Sequence, residues 1–158
     1  MIKIIPYQRD FQNEINTMLL EISNEFKINI FNKGTPIQSN IFDKYWVAQR
    51  EQKLIGTIAI LAPENGYAIL KNMFVKKEFR GKEFGVSSAL LSKALAWCKS
   101  KNYNIIYLGT MEQFIAAQKF YENNGFQRID RNELPKSFIN NPIDSVFYKK
   151  IFESSFRV

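Results

Sequence analysis

The chain holds 158 residues, 46% of them hydrophobic, which is enough for one compact domain with its own core and too little for two ordinary ones. Its 22 Lys and Arg against 15 Asp and Glu leave a net charge of +7, and the charged fraction of 23% is that of a globular rather than a disordered protein. There is no histidine and one cysteine, Cys98, which excludes imidazole bases, His-bearing triads and metal sites, intrachain disulfides and multi-thiolate metal sites.

The opening run Ile2-Lys3-Ile4-Ile5-Pro6-Tyr7 reads as a short strand over 2–7. It is too short for a secretory leader, and Lys3 and then Arg9 interrupt it. The uncharged run 54–63 falls well short of the roughly 20 residues of a membrane span. A soluble, cytoplasmic protein of a reducing compartment is expected, with no membrane partner.

Phe11, Ile15, Met18, Leu19 and Ile22 recur at steps of three and four, which predicts an amphipathic helix over 8–25. Within 27–43, Gly34-Thr35-Pro36 marks a turn, with a short second helix after it. Strands follow at 45–49 and 54–61, joined by the polar turn Glu51-Gln52, and Gly56 marks a bulge. Pro63-Glu64-Asn65-Gly66 is a strong turn, so 54–61 and the next strand, 67–75, should pair antiparallel.

After the polar stretch 76–83, Val86, Leu90, Ala94 and Trp97 predict a helix over 85–99, with Leu91, Leu95 and Cys98 widening its apolar face. A short strand follows at 104–108. Ile115, Ala116, Phe120 and Tyr121 then mark one side of a helix over 112–123, stopped by Asn124-Gly125. The last strands, 126–129 and 146–151, flank a long loop holding Pro135 and Pro142.

This order predicts a single α/β (α+β) domain over 1–158, with a mixed, mostly antiparallel central sheet of about seven strands flanked by about four helices. The strand–helix–strand run from 67 to 108 supplies a right-handed parallel crossover. Such a crossover joins a strand end to a helix start, where free backbone amides bind anions.

That junction reads Met73-Phe74-Val75-Lys76-Lys77-Glu78-Phe79-Arg80-Gly81-Lys82-Glu83-Phe84-Gly85-Val86. It combines two glycines, a helix start and the cations Lys76, Lys77, Arg80 and Lys82. Unpaired N–H groups, a helix dipole and nearby cations together suit phosphate. The bland reading is a helix N-terminus with solvated lysines.

About 25 residues beyond the helix pair Leu90-Leu91 comes Ala116-Ala117-Gln118-Lys119-Phe120-Tyr121-Glu122-Asn123-Asn124-Gly125-Phe126. Together the two segments resemble the GNAT superfamily of acyl-CoA-dependent N-acetyltransferases. The first is similar to its Arg/Gln-x-x-Gly-x-Gly/Ala pyrophosphate pattern, the second to its Ala-x-x-Phe-Tyr-x-x-x-Gly-Phe block. The resemblance covers roughly 54–129.

It implies acetyl-CoA as acyl donor, an amine acceptor and no metal. Met73, Phe74 and Val75 fall where the family's fourth strand runs along the pantetheine arm. Arg80 and Gly85 match the ends of the pyrophosphate pattern, and the amides of Gly81, Lys82, Glu83, Phe84, Gly85 and Val86 would ring the diphosphate. Lys76, Lys77 and Lys82 are alternatives for the 3′-phosphate. Tyr121 matches the general acid that protonates the departing thiolate; a phenol near pKa 10 suits a thiolate of similar basicity.

The chain departs from the pattern at Glu83, where the family usually has Gly, and at Phe114, where it often has Asn. It also lacks the strand glutamate that often serves as base, reading Ala68-Ile69-Leu70-Lys71-Asn72 instead. Glu51, Glu64, Glu112 and Glu133 remain as candidate bases. Cys98 is expected as an inert core thiol, and the 14 Phe and 7 Tyr as core rather than base-stacking surfaces. The loop Leu134-Pro135-Lys136-Ser137-Phe138 is a candidate wall of the acceptor cleft.

Two rival functions stand beside acetyl transfer. One is a catalytically silent CoA-binding sensor of the same fold, motivated by Glu83 and the missing glutamate. The other, less favoured, is a basic nucleic-acid-binding module, motivated by the net charge. A homodimer is the commonest assembly for such a chain.

Overall fold

Runs of consecutive buried residues, rather than alternating ones, mark strands covered on both faces. Residues 54–60 and 67–70 are buried without a break, and both stretches lie in strands. The computed structural model describes residues 1–26, 41–64, 66–138 and 142–152. The short helix expected within 27–43 lies almost wholly outside them, as does Asn65 of the predicted turn. Among the described residues there are three α-helices: α1 (Gln12–Ser23), α2 (Val86–Ser100) and α3 (Ile115–Asn123).

The strands are β1 (Ile2–Pro6), β2 (Lys44–Arg50), β3 (Lys53–Glu64), β4 (Tyr67–Val75), β5 (Ile105–Thr110), β6 (Gln127–Ile129) and β7 (Val146–Ile151). Hydrogen bonding gives one seven-stranded order, β1-β2-β3-β4-β5-β7-β6. By packing, the chain divides into two compact units, Met1–Leu61 with Lys71–Ala96 and Ala62–Leu70 with Trp97–Val158.

In the first unit β2 runs antiparallel to both β1 and β3, with Ile4 opposite Ala48 and Trp46 opposite Ile58. The β2–β3 register slips between Ala48, which faces Gly56, and Gln49, which faces Leu54. Ile55 is the extra residue, so the bulge predicted at Gly56 is found there. Ile15, Met18, Leu19 and Ile22 form the buried stripe of α1. The helix starts later than its periodicity suggests because Arg9–Phe11 winds as a 3₁₀ turn.

In the second unit the first residues of β4 pair parallel with β5, Tyr67 with Ile105 and Ile69 with Tyr107. The last strand, β7, lies between β5 and β6 and is antiparallel to both. Two expectations for α3 need correction. Ile115, at 56% exposure, and Ala116 lie outside the core, and Tyr121 is the buried residue of this helix. The cause is a turn closed by the Phe114 amide on Met111 O (3.1 Å), which delays the helix to Ile115. Trp97 likewise is half-buried, tilted against Tyr103 at 5.8 Å, while Cys98 is fully buried and burial pushes its thiol up to about 12.

Among the described residues no helix is long and apolar enough to cross a membrane, and no cluster of three or more His, Cys, Asp or Glu could hold a metal ion.

Candidate functional site

The end of β4 is fixed by the Lys76 amide, which donates to Ile55 O on β3 at 2.9 Å. One 3₁₀ turn follows, Lys77–Phe79, with Phe79 N donating to Lys76 O (2.9 Å) and Arg80 N to Lys77 O (3.3 Å). Gly81 (φ +102°) and Gly85 (φ +65°) then reverse the chain into α2. Both adopt left-handed backbone that side chains rarely take, and a Cβ at either would meet nothing within 4 Å. Conformation therefore demands glycine here, and the space above the turn is open.

The first bond into α2 is Ala89 N to Gly85 O at 3.0 Å. Ahead of it, among the described residues, no group accepts from the amides of Val86, Ser87 or Ser88. These are the orphan donors of a helix start, at the positive end of its dipole.

Around them Lys77, Lys82 and Glu83 are exposed and Lys76, Phe84 and Gly85 are half-buried. Glu83 is not among the positive-φ residues, so the departure from glycine carries no left-handed strain, and its exposed carboxylate can turn to solvent. Phe79 and Phe84 meet edge to face at 5.4 Å, and the Arg50 guanidinium from the end of β2 lies over both rings at 5.7 and 5.2 Å. The Arg80 guanidinium is engaged by the protein itself. Its Nε donates to Val75 O (2.8 Å), and its two terminal nitrogens grip the Glu25 carboxylate at 2.6 and 2.9 Å.

Met73 and Phe74 are half-buried and Val75 is buried. Just before them the strand bends: Asn72 has φ +49°, and its carbonyl accepts from the Thr57 hydroxyl at 2.7 Å. The Tyr45 hydroxyl and the Asn72 amide nitrogen are buried side by side there and, among the described residues, neither makes a hydrogen bond of full geometry. Burial pushes the Tyr45 phenol up to about 12, against a downward pull from Asn72. In the same unit Asn13, Glu14, Thr17, Leu54 and Lys76 line a cavity of about 230 Å³.

The structure thus gathers Met73 through Val86 around one strand end and one helix start. Tyr121 belongs to the other unit. It is 5% exposed, packed against Phe126 (5.5 Å) and Tyr148 (5.9 Å), and among the described residues nothing bonds its hydroxyl. Burial drives its phenol well above the usual tyrosine range, with Asp144 and Tyr148 adding to the shift. The Tyr148 hydroxyl donates to Glu122 at 2.6 Å.

Of the candidate bases, Glu51, Glu112 and Glu133 are exposed, and Glu133 already accepts from the Asp130 amide at 2.9 Å. The Ser137 hydroxyl of the 134–138 loop is hydrogen-bonded to that of Tyr67. No local pattern marks Glu25 or Arg50 as neighbours of the basic turn; 55 residues separate Glu25 from Arg80.

Comparison with known proteins bears on the family and the fold. Residues 42–128 match the family model described as an acetyltransferase (GNAT) domain. The chain is similar to N-acetylaspartate synthetase of Danio rerio, 31% identical over 109 residues, covering 66% of this chain and 38% of that protein. It is also similar to streptothricin acetyltransferase A of Bacillus subtilis (strain 168), 38% identical over 76 residues, covering 48% and 43%. The chain spans less than half the length of these curated relatives.

Among solved structures, a GNAT-family acetyltransferase from Staphylococcus aureus Mu50 superposes with a TM-score of 0.88 at 36% identity, over 97% of this chain and 100% of that one. PaiA N-acetyltransferase from Thermoplasma acidophilum, in complex with coenzyme A, shares the fold with a TM-score of 0.74 at 19% identity, over 96% and 99%.

Proposed function

Because the chain belongs to the GNAT acetyltransferase family, we propose that it moves an acetyl group from acetyl-CoA to a primary amine by direct transfer in a ternary complex. The carrying observation is the turn from Gly81 into α2, where two left-handed glycines open onto three unused helix-start amides beside Lys77 and Lys82. Such a donor set fits a diphosphate. Met73, Phe74 and Val75, at the end of β4, would carry the pantetheine arm. Gly81, Lys82, Glu83, Phe84, Gly85 and Val86 would hold the phosphates through their main chain, with Arg80 opening the turn. Lys76, Lys77 and Lys82 supply positive charge for a further phosphate.

When bound, acetyl-CoA supplies the activated acyl thioester. Tyr121 donates the proton that the departing sulfur takes up. The acceptor's nitrogen loses its proton to water or to an exposed carboxylate, since β4 offers Lys71 and Asn72 where a base would be convenient.

The test is a thermal shift with acetyl-CoA, then free-thiol release across a panel of primary amines, amino acids and peptides. At a hundredfold excess over the dissociation constant, acetyl-CoA should stabilise the fold by about 3 kcal/mol. Absence of any shift would remove the reading. Binding without thiol release from any amine would instead mark the silent CoA sensor, which the missing β4 carboxylate favours.

Gly85→Glu is expected to weaken coenzyme A binding about tenfold or more, because it puts a side chain at φ +65° and a negative charge at the phosphate-facing helix start. Calorimetry with coenzyme A checks this, and wild-type affinity in the variant would count against the phosphate assignment.

A further inference from the structure

Arg80 opens the phosphate-binding pattern, yet its guanidinium is already committed. Three of its five N–H groups are spent, one on the Val75 carbonyl and two on the Glu25 carboxylate in a forked pair. Glu25 lies two residues beyond the end of α1, Val75 closes β4, and Arg80 lies in the turn that leads into α2. One side chain therefore ties together three elements of the first unit. The pair is partly shielded, with side-chain exposures of 34% for Arg80 and 19% for Glu25.

A phosphate drawn to this fork would meet the Glu25 carboxylate on the same guanidinium, and displacing it would leave a shielded carboxylate unpaired beside two further negative charges. Lys77 and Lys82 stand exposed on the same turn and, among the described residues, make no ion pair. A second guanidinium, that of Arg50, lies over the Phe79 and Phe84 rings of the same turn.

We propose that Arg80 is a positioning residue that braces the phosphate-binding turn against the end of α1 through Glu25, rather than a ligand of the phosphates. This rests on the reading of the turn as the coenzyme A site. The brace holds Gly81 and Gly85 at the angles that aim the helix-start amides outward. Loss of either partner therefore lowers coenzyme A affinity through the turn, although Glu25→Gln makes the site more positive.

The experiment is calorimetric titration of coenzyme A into wild type, Glu25→Gln, Arg80→Gln, Arg80→Lys and the double Glu25→Gln/Arg80→Gln variant. It is run well below each variant's melting temperature, with circular dichroism verifying the fold. Each single change is expected to weaken binding by about 3- to 10-fold, the range of a partly shielded forked ion pair. The double variant should be no weaker than the weaker single, because both remove one interaction. Arg80→Lys should fail to restore affinity, since an ammonium keeps the charge and loses the fork.

Tighter binding by Glu25→Gln would overturn the proposal, for it would mean that Glu25 had been withholding Arg80 from the phosphates. So would multiplying effects in the double variant, restoration by Arg80→Lys, or unchanged affinity throughout. Failure of the wild type itself to bind coenzyme A would bring down the proposed function instead, and the brace as a cofactor device with it.

Discussion

Replacing Tyr121 by Phe should lower turnover by about 10²- to 10⁴-fold while leaving coenzyme A affinity and folding stability close to wild type. The two halves of that expectation have separate grounds. Under the proposed mechanism, turnover falls because the departing sulfur loses its proton donor. Stability holds because the hydroxyl is not among the buried polar atoms left without a partner and, among the described residues, no side chain bonds it, so its removal orphans no group. The ring, packed against Phe126 and Tyr148, is kept. A structural role for the hydroxyl would give the opposite pattern, a lowered melting temperature with activity lost in proportion.

The pH behaviour follows from the raised phenol. The reference value is 10.0, and burial lifts the folded-state value above it, so Tyr121 stays protonated throughout the neutral and mildly alkaline range. A fall in turnover below pH 10 must therefore come from another group. For stability, the contribution of a group with a raised folded-state pKa is fully present below the unfolded value and lost as pH rises through the folded one. Tyr45 and Tyr148, both pushed up to about 12, add to the same alkaline loss. Unfolding should set in above pH 10, and later for Tyr121→Phe. Thiol-release rates and circular dichroism from pH 7 to 12 measure both; unchanged turnover in the variant would take Tyr121 out of the mechanism.

What the sequence disclosed was local. Strands 67–75 and 146–151 were legible to the residue because β-branched, aromatic and other apolar residues dominate each and turn or polar residues bound them, even though Lys71-Asn72 and Lys149-Lys150 interrupt the runs. The basic turn was legible because its glycines, cations and helix start are contiguous. The placement of β7 between β5 and β6 was not, since pairing order depends on contacts far apart in the chain. The start of α3 was overshot for a similar reason. The Gln118 side-chain amide reaches back to the Met111 and Glu112 carbonyls, both at 3.0 Å, and stabilises a turn that periodicity cannot distinguish from helix. The left-handed backbone of Asn72 and the partners of Arg80 and Arg50 left no pattern at all, because each is set by a neighbour across the fold.

Gly56→Val should be severely damaging to the first unit, destabilising by about 3 kcal/mol or more. The sequence marks Gly56 as a bulge, and the structure adds a stricter demand. A Cβ built there would lie 2.9 Å from the Phe74 carbonyl oxygen and 3.1 Å from Leu90 Cδ1. The first of these contacts is with backbone and cannot be relieved by turning a side chain. Either β3 or β4 must shift, and β4 at this point carries Phe74, Val75 and the bond from Lys76 N to Ile55 O that anchors the basic turn. Gly66 provides the contrast: its φ is +102° with nothing near a Cβ, so Gly66→Ala adds only local strain of about 1 kcal/mol. Urea unfolding of both variants, with coenzyme A titration of whatever remains folded, separates the two effects. Gly56→Val should shift the midpoint strongly and bind poorly even below it, whereas Gly66→Ala should bind as wild type. A wild-type midpoint in Gly56→Val would mean that β3 and β4 do not approach as described, and the geometry of the basic turn would lose its support.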